Sequence, residues 1–237
     1  MNQCNAETPF PAIMKGMWPF SRKKSQSDLF QQQQGLFEPA YLDRLTQALL
    51  ASPYLAHNVL NARFASTEGF SVIFQTQELS RVLGDFPFLQ TYLNHLIRPE
   101  INLYYLNALA LNQSARVERH IDHSIRGYGE ELPFPQRVSV LYVSIPAMVG
   151  GALQIYDPAE NPLIEIQPQT GLWLHFRGDL KHAISPVQSL PEAATPRLSL
   201  VCEQYALSPS ELASVPEYVL KSTVGFGTFL AAESHGT

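Results

Sequence analysis

From Ile101 onward the chain changes period. Stretches 101–112, 115–121, 137–145, 152–156, 163–167, 171–176 and 197–205 are rich in β-branched, aromatic or alternating apolar residues, with turn-forming residues between them. Such a succession does not read as a βαβ sheet. So many short strands in succession instead predict a sandwich or jelly roll.

The preceding part reads differently. Pro39 opens a predicted helix in which Leu42, Leu45 and Leu49 share one face, and Pro53 closes it. A strand is predicted over 69–75. Helical stretches follow over 78–83 and 88–97, broken between Gly84 and Pro87, and Phe88, Leu89, Tyr92, Leu93 and Leu96 form one apolar face of the second. With helices first and strands afterwards, the expected class is α+β. The expected divisions are a poorly ordered tail over 1–37 ending in the Gln31–Gln34 run, a helical support region over 38–99, a β core over 100–206 and a C-terminal extension over 207–237. Within that extension a helical stretch is predicted over 210–221.

Composition removes several function classes. With 237 residues the chain suffices for one sizeable core. A net charge of −5 provides no basic stripe for a broad nucleic-acid footprint. The two cysteines, Cys4 and Cys202, fall in the expected tail and in an apolar strand, so neither a disulfide framework nor a thiol metal site is expected. No apolar run approaches the roughly 18 residues of a membrane span, and the first residues lack a signal-peptide core. The expectation is a cytoplasmic protein without a membrane partner.

Chemistry concentrates at His120-Ile121-Asp122, where a predicted strand enters a polar loop. Residues i and i+2 of an extended chain point to the same side, so both side chains can reach one ion. A third ligand from a distant strand would complete the two-histidine, one-carboxylate face that suits non-haem Fe(II) and leaves positions open. Two histidines compete for that place: His175 inside the run 171–176 and His182 beyond the following turn. Further on, Arg197 and Ser199 share one face of the last β run, so a guanidinium fork and a hydroxyl can meet one carboxylate. His123, Arg126 and Tyr128 follow the His–Asp pair and are candidates for the site entrance.

The motifs His120-Ile-Asp122, Arg137-Val-Ser-Val-Leu-Tyr142, Gly150-Gly151-Ala-Leu153, His182-Ala-Ile-Ser-Pro-Val and Arg197-Leu-Ser199 occur in this order. The series resembles the prolyl-4-hydroxylase-like branch of the 2-oxoglutarate/Fe(II)-dependent dioxygenases, over about residues 100–206. The resemblance implies a double-stranded β-helix core with the N-terminal helices packed on one sheet. It also implies Fe(II) at His120, Asp122 and His182, and 2-oxoglutarate held through its far carboxylate by Arg197. Ser199 and Tyr142 are candidate partners for that co-substrate, and ascorbate is a candidate reductant.

The implied reaction consumes dioxygen, releases succinate and carbon dioxide, and hydroxylates a prolyl or other residue of a peptide or protein, a free amino acid or another small molecule. Because Asp122 supplies the carboxylate that halogenating relatives lack, hydroxylation is the expected outcome. The 15 residues from His182 to Arg197 exceed the usual family spacing and are expected to form a longer hairpin. A non-catalytic cupin-like metal or small-ligand sensor is the alternative reading. A hydrolytic zinc site is disfavoured by the absence of an HExxH motif.

Overall fold

The computed structural model describes residues 29–57, 64–191 and 195–222. Residues 1–28 of the expected tail, including Cys4, and the end of the C-terminal extension, including His235, lie outside them. In chain order the elements are β1 (Phe30–Gln33), α1 (Pro39–Leu50), β2 (Ala56–His57), β3 (Phe64–Gln75), α2 (Leu79–Asp85), α3 (Gln90–Leu96), β4 (Leu103–His120), β5 (Arg137–Ser144), β6 (Val149–Gly150), β7 (Leu153–Tyr156), β8 (Pro162–Ile166), β9 (Trp173–Arg177), β10 (His182–Ile184), β11 (Val187–Ser189), β12 (Arg197–Tyr205), α4 (Pro209–Ala213) and β13 (Tyr218–Lys221).

The strands pair antiparallel in the order β1-β9-β5-β12-β4-β10-β7-β8, with β3 on the remaining edge of β4 and β13 and β2 on β3. β4 joins the two halves of this curled sheet. Its first part pairs with β12 from Leu103 to Leu111, and its end pairs with β10. Between them Ser114 has φ 68°, a left-handed bend that a short polar residue tolerates. What reads as two strands over 101–121 is therefore one strand with a bend.

β12 shows how the sheet separates core from site. Leu198, Leu200 and Cys202 face an apolar cluster that includes Leu45 and Leu49 of α1, Val82 of α2 and Tyr92, Leu93 and Leu96 of α3. Burying each of these large side chains contributes roughly 1.5–3 kcal/mol. The Tyr41 hydroxyl donates to the Phe88 carbonyl at 3.2 Å and accepts from the Tyr92 backbone N–H at 3.1 Å, which ties α1 to α3. The alternate residues Arg197, Ser199 and Val201 face a cavity on the other side.

Three expectations are corrected. The Gln31–Gln34 run does not all belong to a disordered tail: Phe30–Gln33 form edge strand β1 on β9, where the open edge supplies backbone hydrogen-bond partners, and Phe37 is buried. The stretch 210–221 is not one helix. Ser208 caps the short helix α4 through a capping box with Glu211, and after Pro216 the chain re-enters the sheet as β13. β3 thus lies in the same sheet as the core strands, although it belongs to the region read as helical support. The long connection after His182 holds strands β10 and β11, and residues 192–194 fall outside the described residues.

The Gly150–Gly151 turn has φ values of 84° and 69°, and a Cβ on Gly150 would stand 2.1 Å from the Pro186 carbonyl oxygen. Gly150→Ala therefore combines left-handed strain with a backbone clash. It is expected to cost about 1–3 kcal/mol and to lower the melting temperature by roughly 2–10 °C in a thermal melt.

Candidate metal centre

β4 delivers His120 as its last residue, and Asp122 follows two residues on. β10 begins with His182, which pairs directly across from His120. The register of two strands more than 60 residues apart thus brings the three side chains together, with one ligand atom of each within 4.8 Å of the others. His120 Nε2 lies 3.1 Å from Asp122 Oδ1, and His182 Nε2 lies 3.3 Å from Asp122 Oδ2.

Backbone carbonyls orient both rings. His120 Nδ1 donates to the Glu118 carbonyl at 2.7 Å and His182 Nδ1 to the Leu180 carbonyl at 3.2 Å. These bonds place a proton on each Nδ1 and turn each Nε2 toward Asp122, the ring orientation that metal-ligating histidines require. Burial alone would raise the Asp122 carboxyl, but the His182 and His120 imidazoles beside it hold it well below the usual carboxylate range. For His182, burial opposes protonation and the Asp122 charge outweighs it, so its pKa is raised. A largely shielded anion flanked by two inward-facing imidazole nitrogens suits a divalent cation.

Arg197, Ser199 and Tyr142 meet on the wall of the same cavity of about 350 Å³, which the triad also lines. Ser199 pairs with Tyr142 across β12 and β5, and the Arg197 guanidinium carbon is 4.9 Å from the Tyr142 ring centre. Arg197 is only 1 % exposed, and its Nε and Nη1, the Tyr142 hydroxyl and the Ser199 hydroxyl have no hydrogen-bond partner. Burial pushes the Arg197 pKa down and the Tyr142 hydroxyl up. Gly151 makes room: a Cβ there would approach Arg197 Cδ to 3.4 Å. Such a group of buried, unsatisfied donors around a cation is costly unless an anion completes it.

Other candidates fall elsewhere. His175 lies on β9 against Gln31 of β1, at 3.0 Å, and does not join the triad. Its pKa is lowered to about 4 by burial and by Arg137 and Arg98. His123, Arg126 and Tyr128 do not line the cavity; within that loop Asp122 and Ser124 do. Trp173 is a core residue, and Phe176 belongs to the second apolar cluster and also lines the cavity.

Glu203 is a residue that the sequence reading missed. It is buried, receives hydrogen bonds from the Ser124 backbone N–H at 3.0 Å, the Ser124 hydroxyl and the Tyr205 hydroxyl, and so ties the loop carrying Asp122 to β12. Burial and the nearby Asp122 charge push it up to about 7. The available signal was parity: Glu203 shares the inward face of Arg197 and Ser199.

No protein-family model matches the chain, and no curated protein matches its sequence. Solved structures do match in three dimensions. A prolyl-4-hydroxylase from Pseudomonas putida is 16% identical and superposes with TM-score 0.53 over 76% of this chain and 94% of its own. "IDO" from Bacillus thuringiensis is 14% identical with TM-score 0.52, covering 77% and 96%. An oxidoreductase of the 2OG-Fe(II) oxygenase family from Burkholderia pseudomallei is 13% identical with TM-score 0.50, covering 78% and 92%. The fold is a double-stranded β-helix. At these identities the likeness shows the fold alone. In this double-stranded β-helix the triad and the buried Arg197 cluster share one cavity between the two halves of the sheet.

Proposed function

We propose that the chain is an Fe(II)- and 2-oxoglutarate-dependent dioxygenase that hydroxylates an organic substrate. The observation that carries this reading is the buried Arg197 guanidinium, with Nε and Nη1 unpartnered and no acid beside it, in the same cavity as the His–Asp–His cluster. A metal-binding sensor needs the triad but has no use for a cation buried at such cost. The structural likeness to proteins described as a prolyl-4-hydroxylase and a 2OG-Fe(II) oxygenase supports it.

His120 Nε2, His182 Nε2 and an Asp122 oxygen would hold the iron. Arg197 would neutralise the far carboxylate of 2-oxoglutarate, with Ser199 and Tyr142 donating hydrogen bonds to it. When bound, iron and 2-oxoglutarate supply oxidative chemistry: dioxygen and 2-oxoglutarate are consumed, succinate and carbon dioxide are released, and one oxygen atom enters a substrate C–H bond. The chain's own part is positional. The Nδ1 hydrogen bonds keep both imidazoles aimed, Glu203 holds the Ser124 loop in place, and Val140, Leu153, Phe176 and Ile184 give the cavity apolar walls that limit water.

Adding Fe(II) and 2-oxoglutarate to the protein without oxygen is expected to produce a weak visible charge-transfer band. Oxygen and a competent substrate should then release succinate. Metal binding without the band would reject the reading in favour of a binding protein, and succinate release surviving in His182→Ala would reject the assigned ligands.

A further inference from the structure

The cavity has a second cation that the proposed chemistry does not use. Lys221, the last residue of β13, lines it together with Ser71 and Asn107. The registers place these residues in one cross-strand row: Lys221 opposite Ser71, Ser71 opposite Asn107, Asn107 opposite Val201, and Val201 opposite Val140. Arg197 lies four residues from Val201 along β12, about 13 Å at strand rise, and β13 is three strands from β12, about 14 Å across the sheet. The two cations therefore leave from well-separated positions of the sheet, Lys221 on β13 and Arg197 on β12, and line one cavity.

Lys221 is also prepared for an anion. Its ammonium nitrogen sits 5.5 Å from the Tyr105 ring centre and 5.1 Å from that of Tyr128, so two aromatic faces steady it. It makes no ion pair or hydrogen bond among the described residues. The buried acid Glu203 is engaged elsewhere, bonded to Ser124 and Tyr205. Beside Lys221, the Ser71 hydroxyl donates to the Asn107 side-chain oxygen, which leaves the Asn107 amide N–H groups as donors toward the cavity.

Resting on the dioxygenase reading, we propose that the substrate to be hydroxylated carries a carboxylate, and that Lys221 with Asn107 binds it where β13 borders the cavity. A cavity of about 350 Å³ that must also hold 2-oxoglutarate favours a small acid, such as a free amino acid, over an internal residue of a protein chain.

The test uses the anaerobic Fe(II)·2-oxoglutarate protein, first titrated with 2-oxoglutarate to confirm the visible band, then exposed to free L-amino acids, their carboxamides, and short peptides ending in a free carboxylate. At least one free acid is expected to perturb the band and, with oxygen, to stimulate succinate release, and its carboxamide should bind about tenfold or more weakly. Lys221→Met should raise the apparent KM for that acid about ten- to a hundredfold, with the 2-oxoglutarate titration little moved, and Lys221→Arg should recover most of the loss. If the band forms but no acid perturbs it, if acid and carboxamide act alike, or if Lys221→Met leaves KM unchanged, the inference falls while the dioxygenase reading stands. Preference for the peptide carboxylates would keep the Lys221 contact and overturn the small-acid assignment. If no band forms, both readings fail.

Discussion

Arg197→Met is expected to weaken 2-oxoglutarate binding severely while making the metal-free protein more stable. The two effects share one cause. In the free protein Arg197 is buried with Nε and Nη1 unpartnered and Tyr142 as its polar neighbour, so its charge is desolvated with little return. Methionine keeps an unbranched apolar stem in the space that Gly151 leaves open, and removes the charge. Replacing buried ionic groups by apolar ones of similar volume is often neutral or stabilising by about 1–4 kcal/mol, a gain of roughly 2–4 °C per kcal/mol in melting temperature for a chain of this size. With 2-oxoglutarate present the sign reverses. Losing one partner of a buried charge pair costs about 2–5 kcal/mol, roughly thirtyfold to several thousandfold in affinity. Titrating 2-oxoglutarate into the Fe(II) protein without oxygen, alongside melts of the metal-free protein, reads both effects. Unchanged affinity would remove Arg197 from the co-substrate site.

The second large effect is expected from Asp122→Asn. Asparagine preserves the shape but not the charge that both histidines face, and its amide presents N–H groups where a cation would need a lone pair. Even groups that only orient metal ligands typically contribute about ten- to a hundredfold to affinity, so loss of the carboxylate should weaken Fe(II) or Co(II) binding by about a hundredfold or more. The comparison is a calorimetric metal titration of both proteins, with circular dichroism checking that the fold is kept. Affinity within a fewfold of the parent would show that the triad is not the metal site. Together the two substitutions separate metal from co-substrate: Arg197→Met should leave metal affinity nearly intact, and Asp122→Asn should weaken both.

Much of the β core was legible because alternation is local. Residues 197–205 read as a strand with Arg197 and Ser199 on one face, and β12 has those bounds and that facing. The same parity contains Glu203, yet a lone acid in an apolar strand gives no sign in sequence that it will accept three hydrogen bonds from Ser124 and Tyr205. His182 stands out by its motif and, as read, follows a turn. In the structure it opens β10, and its pairing with His120 closes the triad.

Lys221 shows the opposite case. Ser210–Ala213 have helical character and the expected helix runs on to Lys221, whereas Pro216 interrupts the chain and β3 offers an open edge to Tyr218–Lys221. Tertiary pairing overrode a weak local preference there, as it did for the glutamine run that became β1.

By itself, the sequence determined the run of alternating strands, the His120–Asp122 pair on one side of an extended segment, and the inward face of Arg197 and Ser199. All of these follow from the two-residue period of the backbone. Only the tertiary structure decided which strands are neighbours. That choice set His182 opposite His120, turned Glu203 onto the Ser124 loop and carried Lys221 across the sheet to Ser71 and Asn107. Such pairings join residues tens to more than a hundred positions apart, and they are selected by the burial and backbone hydrogen bonds of the whole sheet, which no local pattern encodes.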